Sequence, residues 1–188
     1  MKTSFTKLLG IDYPIIMAPM FLVSNTKMII EALNNGITAA IPALNFRTDE
    51  ELRKAINEVK DATKKPFGVN LIVNKSNTRY KAQLNTCVEL KVDFIITSLG
   101  NPKEVINLCK PAGIKVFCDV VDLEYALKVE SLGADAVIAV NSDAGGHAGS
   151  LKPVVLLPML INKLTIPVIS AGGIATAKQL KKIMELGA

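Results

Sequence analysis

His147 is the only histidine in a chain of 188 residues. It stands in the glycine-dense stretch NSDAGGHAGS, residues 141–150. Imidazole is the side chain whose ordinary pKa lies near neutrality, so it can take or give a proton at working pH. Gly145, Gly146 and Gly149 around it permit close backbone approach to a flat ligand, or backbone angles that other residues avoid. Asp143 is near enough in sequence to orient the ring. A solvated loop with a spare histidine has the same composition, so the stretch by itself leaves both readings open.

Three further stretches carry candidate chemistry. In VISAGGIATAKQL, residues 168–180, an apolar run meets Gly172 and Gly173 and then a helix start. Backbone N–H groups at such a junction cradle phosphate, although a tight turn also needs glycine. Neither a Lys-Ser/Thr pair nor a full dinucleotide fingerprint accompanies it. In MAPM, residues 17–20, backbone groups of Ala18 and Met20 are placed to meet the edge of a planar cofactor, with the Met20 side chain packing on it; ordinary strand-end packing is the alternative. Asn70 puts an amide inside the apolar FGVNL, and burial there demands hydrogen-bond partners from a ligand or from neighbouring backbone.

Other chemistries find little footing. One histidine without clustered carboxylates or cysteines makes a poor metal site. A Ser142–His147–Asp combination lacks a nucleophile elbow, and no carboxylate pair suits sugar hydrolysis. Cys87, Cys109 and Cys118 show neither ligand spacing nor an even count and read as reduced thiols. The net charge is +5, but Lys and Arg are scattered and aromatics make up only 5%, which argues against a nucleic-acid surface. Asp12 and Pro14 interrupt the apolar start, so no signal peptide is expected. No run is long enough to span a bilayer, and a cytoplasmic protein is expected.

The elements that must position these residues alternate regularly. Strands are predicted at 14–19, 37–41, 67–73, 93–99, 114–120, 135–140 and 166–171. Predicted helices lie between most of them. Thr48/Glu51 and Thr176/Gln179 have capping-box spacing, Asn101 and Asp122 are placed as caps, and Pro102 fits a first turn. Apolar strands without clean alternation belong to a parallel sheet covered by helices. A doubly wound sheet and a (β/α)8 TIM barrel both fit this pattern. The barrel is preferred because Met20, Asn70, Asp119, His147 and Gly172–Gly173 follow many different strands, whose ends converge on one barrel face. About seven βα units are counted in a single domain over 1–188, so an incomplete barrel lacking its eighth strand, a fragment of a longer chain, is expected.

PIIMAPM, FGVNL, SDAGGHAG and ISAGGI, in this order along essentially the whole chain, resemble the nitronate monooxygenase (2-nitropropane dioxygenase) family. A flavin-dependent enoyl-[acyl-carrier-protein] reductase is related to it. The resemblance implies a TIM barrel with FMN at the strand ends. It implies FMN contacts at Ala18, Met20, Asn70, Gly145, Gly146, Gly172 and Gly173, and His147 as the active-site residue. It further implies oxidation of a small anionic nitronate to a carbonyl compound with molecular oxygen, and a homodimer is left open. The alternatives are reduction of an enoyl thioester by NAD(P)H and an inactive FMN- or phosphate-binding fragment. NSD before AGGH tilts the reading slightly toward the nitronate branch.

Overall fold

The structure, a computed structural model, describes residues 2–188. Two compact units divide the chain, one running to Val116 and the other spanning Phe117–Ala188.

The first unit opens with α1 (Ser4–Leu9), closed at its start by a reciprocal Thr3–Thr6 capping box. Then come β1 (Ile16–Met17), α2 (Thr26–Asn34), β2 (Thr38–Pro42), a 3-10 turn (Ala43–Asn45), α3 (Asp49–Ala62), β3 (Gly68–Ile72), α4 (Tyr80–Glu89), β4 (Phe94–Ser98) and α5 (Lys103–Cys109). Its strands pair in parallel and in chain order: Met17 faces Ala39, Pro42 faces Asn70 and Asn70 faces Ile96. β2 is buried along its whole length, as expected of a parallel strand covered on both sides. Gly68 is dictated by packing, because a Cβ there would lie 2.2 Å from the Phe94 ring.

The boundary falls within β5 (Lys115–Val120), and the second unit continues with α6 (Leu123–Ser131), β6 (Ala136–Val140), α7 (Pro153–Ile161), β7 (Val168–Ala171) and α8 (Ala177–Glu185). Its strands are again parallel, with Asp119 opposite Ile138 and Ala139 opposite Ser170. β6 is wholly buried, whereas β7 is partly exposed at each position. In α8 only Ile183 is buried.

Seven parallel strands alternating with helices, among the described residues, make this an α/β fold of the (β/α)8-barrel class with seven of its strands. The seven predicted strands all exist, each shorter by a residue or more at the start, while β2 runs one residue further, to Pro42. β1 shrinks most, to two residues, because Pro14 and Pro19 have no N–H to give a ladder. The helix after β3 begins only at Tyr80, since the Asn74 and Asn77 side chains turn the preceding loop. Pro102, not Asn101, occupies the cap position of α5, yet the Asn101 side chain still accepts the Lys103 N–H at 3.0 Å. The predicted helices omit α1 and α7. PVVLLPMLI is almost uniformly apolar and carries Pro158 inside the helix, so it shows no amphipathic period to read.

Candidate active site

The sequence-derived residues fall into two sets. Ala18, Met20 and Asn70 belong to the first unit; Gly145, Gly146, His147, Gly172 and Gly173 belong to the second.

In the second unit, the chain leaves buried β6 and enters the histidine loop through Asn141, which is 1% exposed. Its backbone N–H donates to Ala171 O at 3.0 Å, and its carbonyl accepts from Ala144 N at 3.2 Å. The side-chain Oδ1 accepts the Asp143 N–H at 2.8 Å, while Nδ2 donates to Gly172 O at 3.3 Å. One amide thus braces the loop after β6 and ties it to the loop after β7. Beyond this brace, Gly145, Gly146 and His147 are exposed, and the imidazole makes no hydrogen bond among the described residues. Asp143 does not orient the ring, as its spacing had allowed: its carboxylate accepts from Ser142 Oγ at 3.2 Å instead.

The glycines of the two loops differ in physical necessity. Gly172 has φ +123° and Gly173 φ +70°, both in the region that L side chains rarely adopt. A Cβ on Gly172 would sit 2.5 Å from Asn141 Oδ1, and one on Gly173 would sit 2.9 Å from Asp143 Cβ. The fold itself therefore requires both glycines. Gly145 and Gly146 have no positive φ, and a Cβ on either would meet nothing within 4 Å. No backbone angle and no protein neighbour explains them. They border open space. Gly149 is different again, since a Cβ there would lie 2.5 Å from Val140 O.

At the start of α8, Thr176 and Gln179 form the predicted capping box. Gln179 Oε1 accepts the N–H groups of both Ala175 and Thr176 at 3.0 Å. The Gly173 and Ile174 N–H groups take no protein acceptor among the described residues. On β7, the Ser170 hydroxyl is buried and has no hydrogen-bond partner.

In the first unit, Ala18 and Met20 are exposed, Met20 at 37%. The backbone of Met20 is already engaged: its N–H donates to Ser24 Oγ at 2.9 Å, and its carbonyl accepts from Val23 N and Ser24 N. Only its side chain is left to meet a cofactor, whereas sequence reasoning also offered its backbone. Asn45 holds this loop from outside, accepting the Leu22 N–H and donating to Ser24 O, each at 2.8 Å. Leu22 sits at φ +58° within that clamp. The following Phe21, Leu22 and Val23 are 61%, 73% and 57% exposed, a contiguous apolar run next to Met20. Asn70 donates to Ser98 Oγ at 2.8 Å and Ile96 O at 3.3 Å. Its donor end is spent on the protein, so a ligand contact falls to Oδ1.

Asn45 and Ser24 were missed by the sequence reading, and Asn141 entered it only within NSD, with no bracing role. Asn141 had a usable signal akin to the one that singled out Asn70: an amide directly after an apolar strand, where Asn70 is an amide within one. Asn45 had none, because its partners are more than twenty residues away. The three thiols are buried, and burial pushes the Cys87 thiol well above its ordinary value, which suits none of them to nucleophilic work. No group of three or more His, Cys, Asp or Glu side chains suited to a metal occurs among the described residues. Among them, too, no helix is long and apolar enough to cross a membrane.

Fold and loops together define a barrel-class α/β protein with its candidate chemistry in the segments after the strands. The chain belongs to the nitronate monooxygenase family, whose profile matches residues 2–188. It is 31% identical over 188 residues to a protein of Rhodococcus jostii named (3aS,4S,5R,7aS)-5-hydroxy-7a-methyl-1-oxo-octahydro-1H-indene-4-carboxyl-CoA dehydrogenase, covering 100% of this chain and 52% of that one. It is 29% identical over 231 residues to a Staphylococcus aureus protein named "Probable nitronate monooxygenase", covering 65% of it. Among solved structures, FabK from Thermotoga maritima superposes with a TM-score of 0.94 at 35% identity, over 100% of this chain and 60% of that one. A nitroalkane oxidase from Streptomyces ansochromogenes gives a TM-score of 0.89 at 24% identity, over 99% and 65%, a likeness of fold alone. The chain thus spans between about half and two-thirds of the length of these relatives.

The residues present fit the FMN that the family resemblance implies. Gly145 and Gly146 leave room that no protein atom fills. Gly173 and Ile174 offer N–H groups beside a helix start, the chemistry a phosphate needs. Each of these observations lies within the second unit.

Proposed function

We propose that this chain belongs to an FMN-dependent, FabK-like reductase that reduces the double bond of an enoyl thioester with NADH or NADPH. The likeness to FabK from Thermotoga maritima carries this reading, because a TM-score of 0.94 comes with 35% identity along 100% of the chain. Two further features support it. Relatives from Rhodococcus jostii and Mycobacterium tuberculosis carry names ending in carboxyl-CoA dehydrogenase, which are thioester names. The exposed apolar run Phe21–Val23 suits an acyl chain better than a small anion.

Bound FMN would supply the redox chemistry, taking reducing equivalents from the nicotinamide and passing them to the enoyl carbon. The protein's part is binding, orientation and charge. Gly145 and Gly146 give the flat ring access; Ala18, Met20 and Asn70 are assigned to the flavin by the family resemblance alone. Gly172 and Gly173 shape the phosphate loop, with the Gly173 and Ile174 N–H groups as donors. His147, exposed and without a protein partner, donates an N–H to the thioester carbonyl oxygen as negative charge gathers there.

Oxidation of a nitronate by molecular oxygen is the second reading, favoured by the family's description and the Staphylococcus aureus relatives. The slight preference that NSD lent it is withdrawn. Asn141 and Asp143 brace the loop and Ser142 bonds Asp143, so these residues have structural work that needs no substrate.

Anaerobic titration of the FMN-loaded protein tests the choice. NADH or NADPH is expected to bleach the flavin absorbance, and a crotonyl thioester to restore it, while propionate 3-nitronate leaves the oxidised spectrum unchanged. Bleaching by the nitronate alone overturns the reductase reading.

A further inference from the structure

We propose that Asn141 is a positioning residue that locks the Gly172–Gly173 peptide plane, so that the Gly173 N–H is held out as a donor to the flavin phosphate. The inference rests on the FMN reading above and concerns a residue to which the sequence motifs assigned no part in flavin binding. Between two glycines a peptide plane turns easily, because no Cβ on either side resists it. The conformation seen, φ +123° at Gly172 and +70° at Gly173, therefore needs an external hold. Asn141 Nδ2 provides it by donating to Gly172 O at 3.3 Å. Across a trans peptide the C=O and the next N–H point in opposite directions. Holding the Gly172 carbonyl toward Asn141 thus directs the Gly173 N–H away from it, where no protein acceptor takes it.

The lock is itself fixed. Asn141 is 1% exposed, its backbone is tied to Ala171 and Ala144, and its Oδ1 accepts the Asp143 N–H at 2.8 Å. An N–H only donates and a carbonyl only accepts, so the two neighbours leave one orientation of the amide. Aspartate would keep the acceptor for Asp143 and lose the donor for Gly172.

The test compares affinities for FMN and riboflavin, which differ only in the phosphate, by quenching of flavin fluorescence in wild type, Asn141→Ala and Asn141→Asp. Wild type is expected to prefer FMN, and both variants to lose about tenfold of that preference, as for one hydrogen bond to a charged group, with riboflavin affinity nearly unchanged. The uncharged alanine shows that repulsion is not the cause. If it fails to fold, a loss in Asn141→Asp that persists in high salt, where repulsion is screened, serves instead. An unchanged FMN-to-riboflavin ratio overturns the proposal, as does an equal fall for both flavins, which marks general loss of structure. Wild type binding riboflavin as well as FMN also overturns it. Wild type binding neither flavin overturns the FMN reading itself, a result distinct from the others.

Discussion

On the proposed reading the exposed imidazole of His147 serves the substrate, so its removal should cost turnover rather than structure. His147→Ala is expected to lower turnover of an enoyl thioester about 100-fold or more, with FMN affinity within about twofold of wild type. Steady-state rates beside flavin titrations check this, and unchanged turnover would remove His147 from the mechanism. The glycines allow a sharper comparison. Gly172→Ala forces a Cβ to within 2.5 Å of Asn141 Oδ1 at a φ of +123°, and a destabilisation of about 2–4 kcal/mol is expected in denaturant unfolding. Gly145→Ala meets open space and should leave stability within about 0.5 kcal/mol while weakening FMN. Equal FMN affinity in Gly145→Ala and wild type would show that this glycine faces no flavin.

At the scale of elements, helix starts and one carboxylate do much of the positioning. Thr48 accepts the Glu51 N–H at 3.1 Å, and Glu51 reaches back to the Thr48 N–H at 3.2 Å; Thr48→Ala should cost about 1 kcal/mol. Glu130 on α6 holds the entry to β7 through three bonds to one oxygen: Thr165 N at 2.7 Å, Thr165 Oγ1 at 2.8 Å and Ile166 N at 3.2 Å. Partial burial raises its pKa, but the bonds from Thr165 and Ile166 outweigh this, and the net shift is downward from 4.5. A carboxylate whose folded pKa is depressed adds stability above its unfolded value and loses it as pH falls through the folded one. The contribution is therefore full at neutral pH and vanishes in the acid range below about 4.5. Unfolding midpoints of Glu130→Gln should lie below wild type at neutral pH and converge with it in acid. A constant gap across that range would contradict the assignment.

For the molecule as a whole, flavin binding should appear as stability, because a ligand taken only by the folded state shifts unfolding by mass action. At 100 times Kd the gain is about 2.7 kcal/mol, a rise of about 5–10 °C in Tm for a chain of this size. FMN is expected to produce it and riboflavin to produce less. A melting curve indifferent to both would mean that this chain, spanning about half to two-thirds of its relatives, holds no flavin by itself.

Sequence alone determined the seven strands, the Thr48 and Thr176 caps and the family, and favoured the barrel over a doubly wound sheet, since these rest on local patterns: apolar runs, capping spacing and ordered motifs. It also brought His147 and both glycine pairs into view as candidates. Tertiary structure set the two glycine pairs apart, because positive φ and a close neighbour explain Gly172 and Gly173 but not Gly145 and Gly146. It turned Asp143 away from His147, occupied the backbone of Met20 with Ser24, and revealed Asn141 as the link between loops some thirty residues apart. Such facts depend on which groups meet across the fold. Spacing along a chain records helical and extended periods, but not the partner that a buried amide will find.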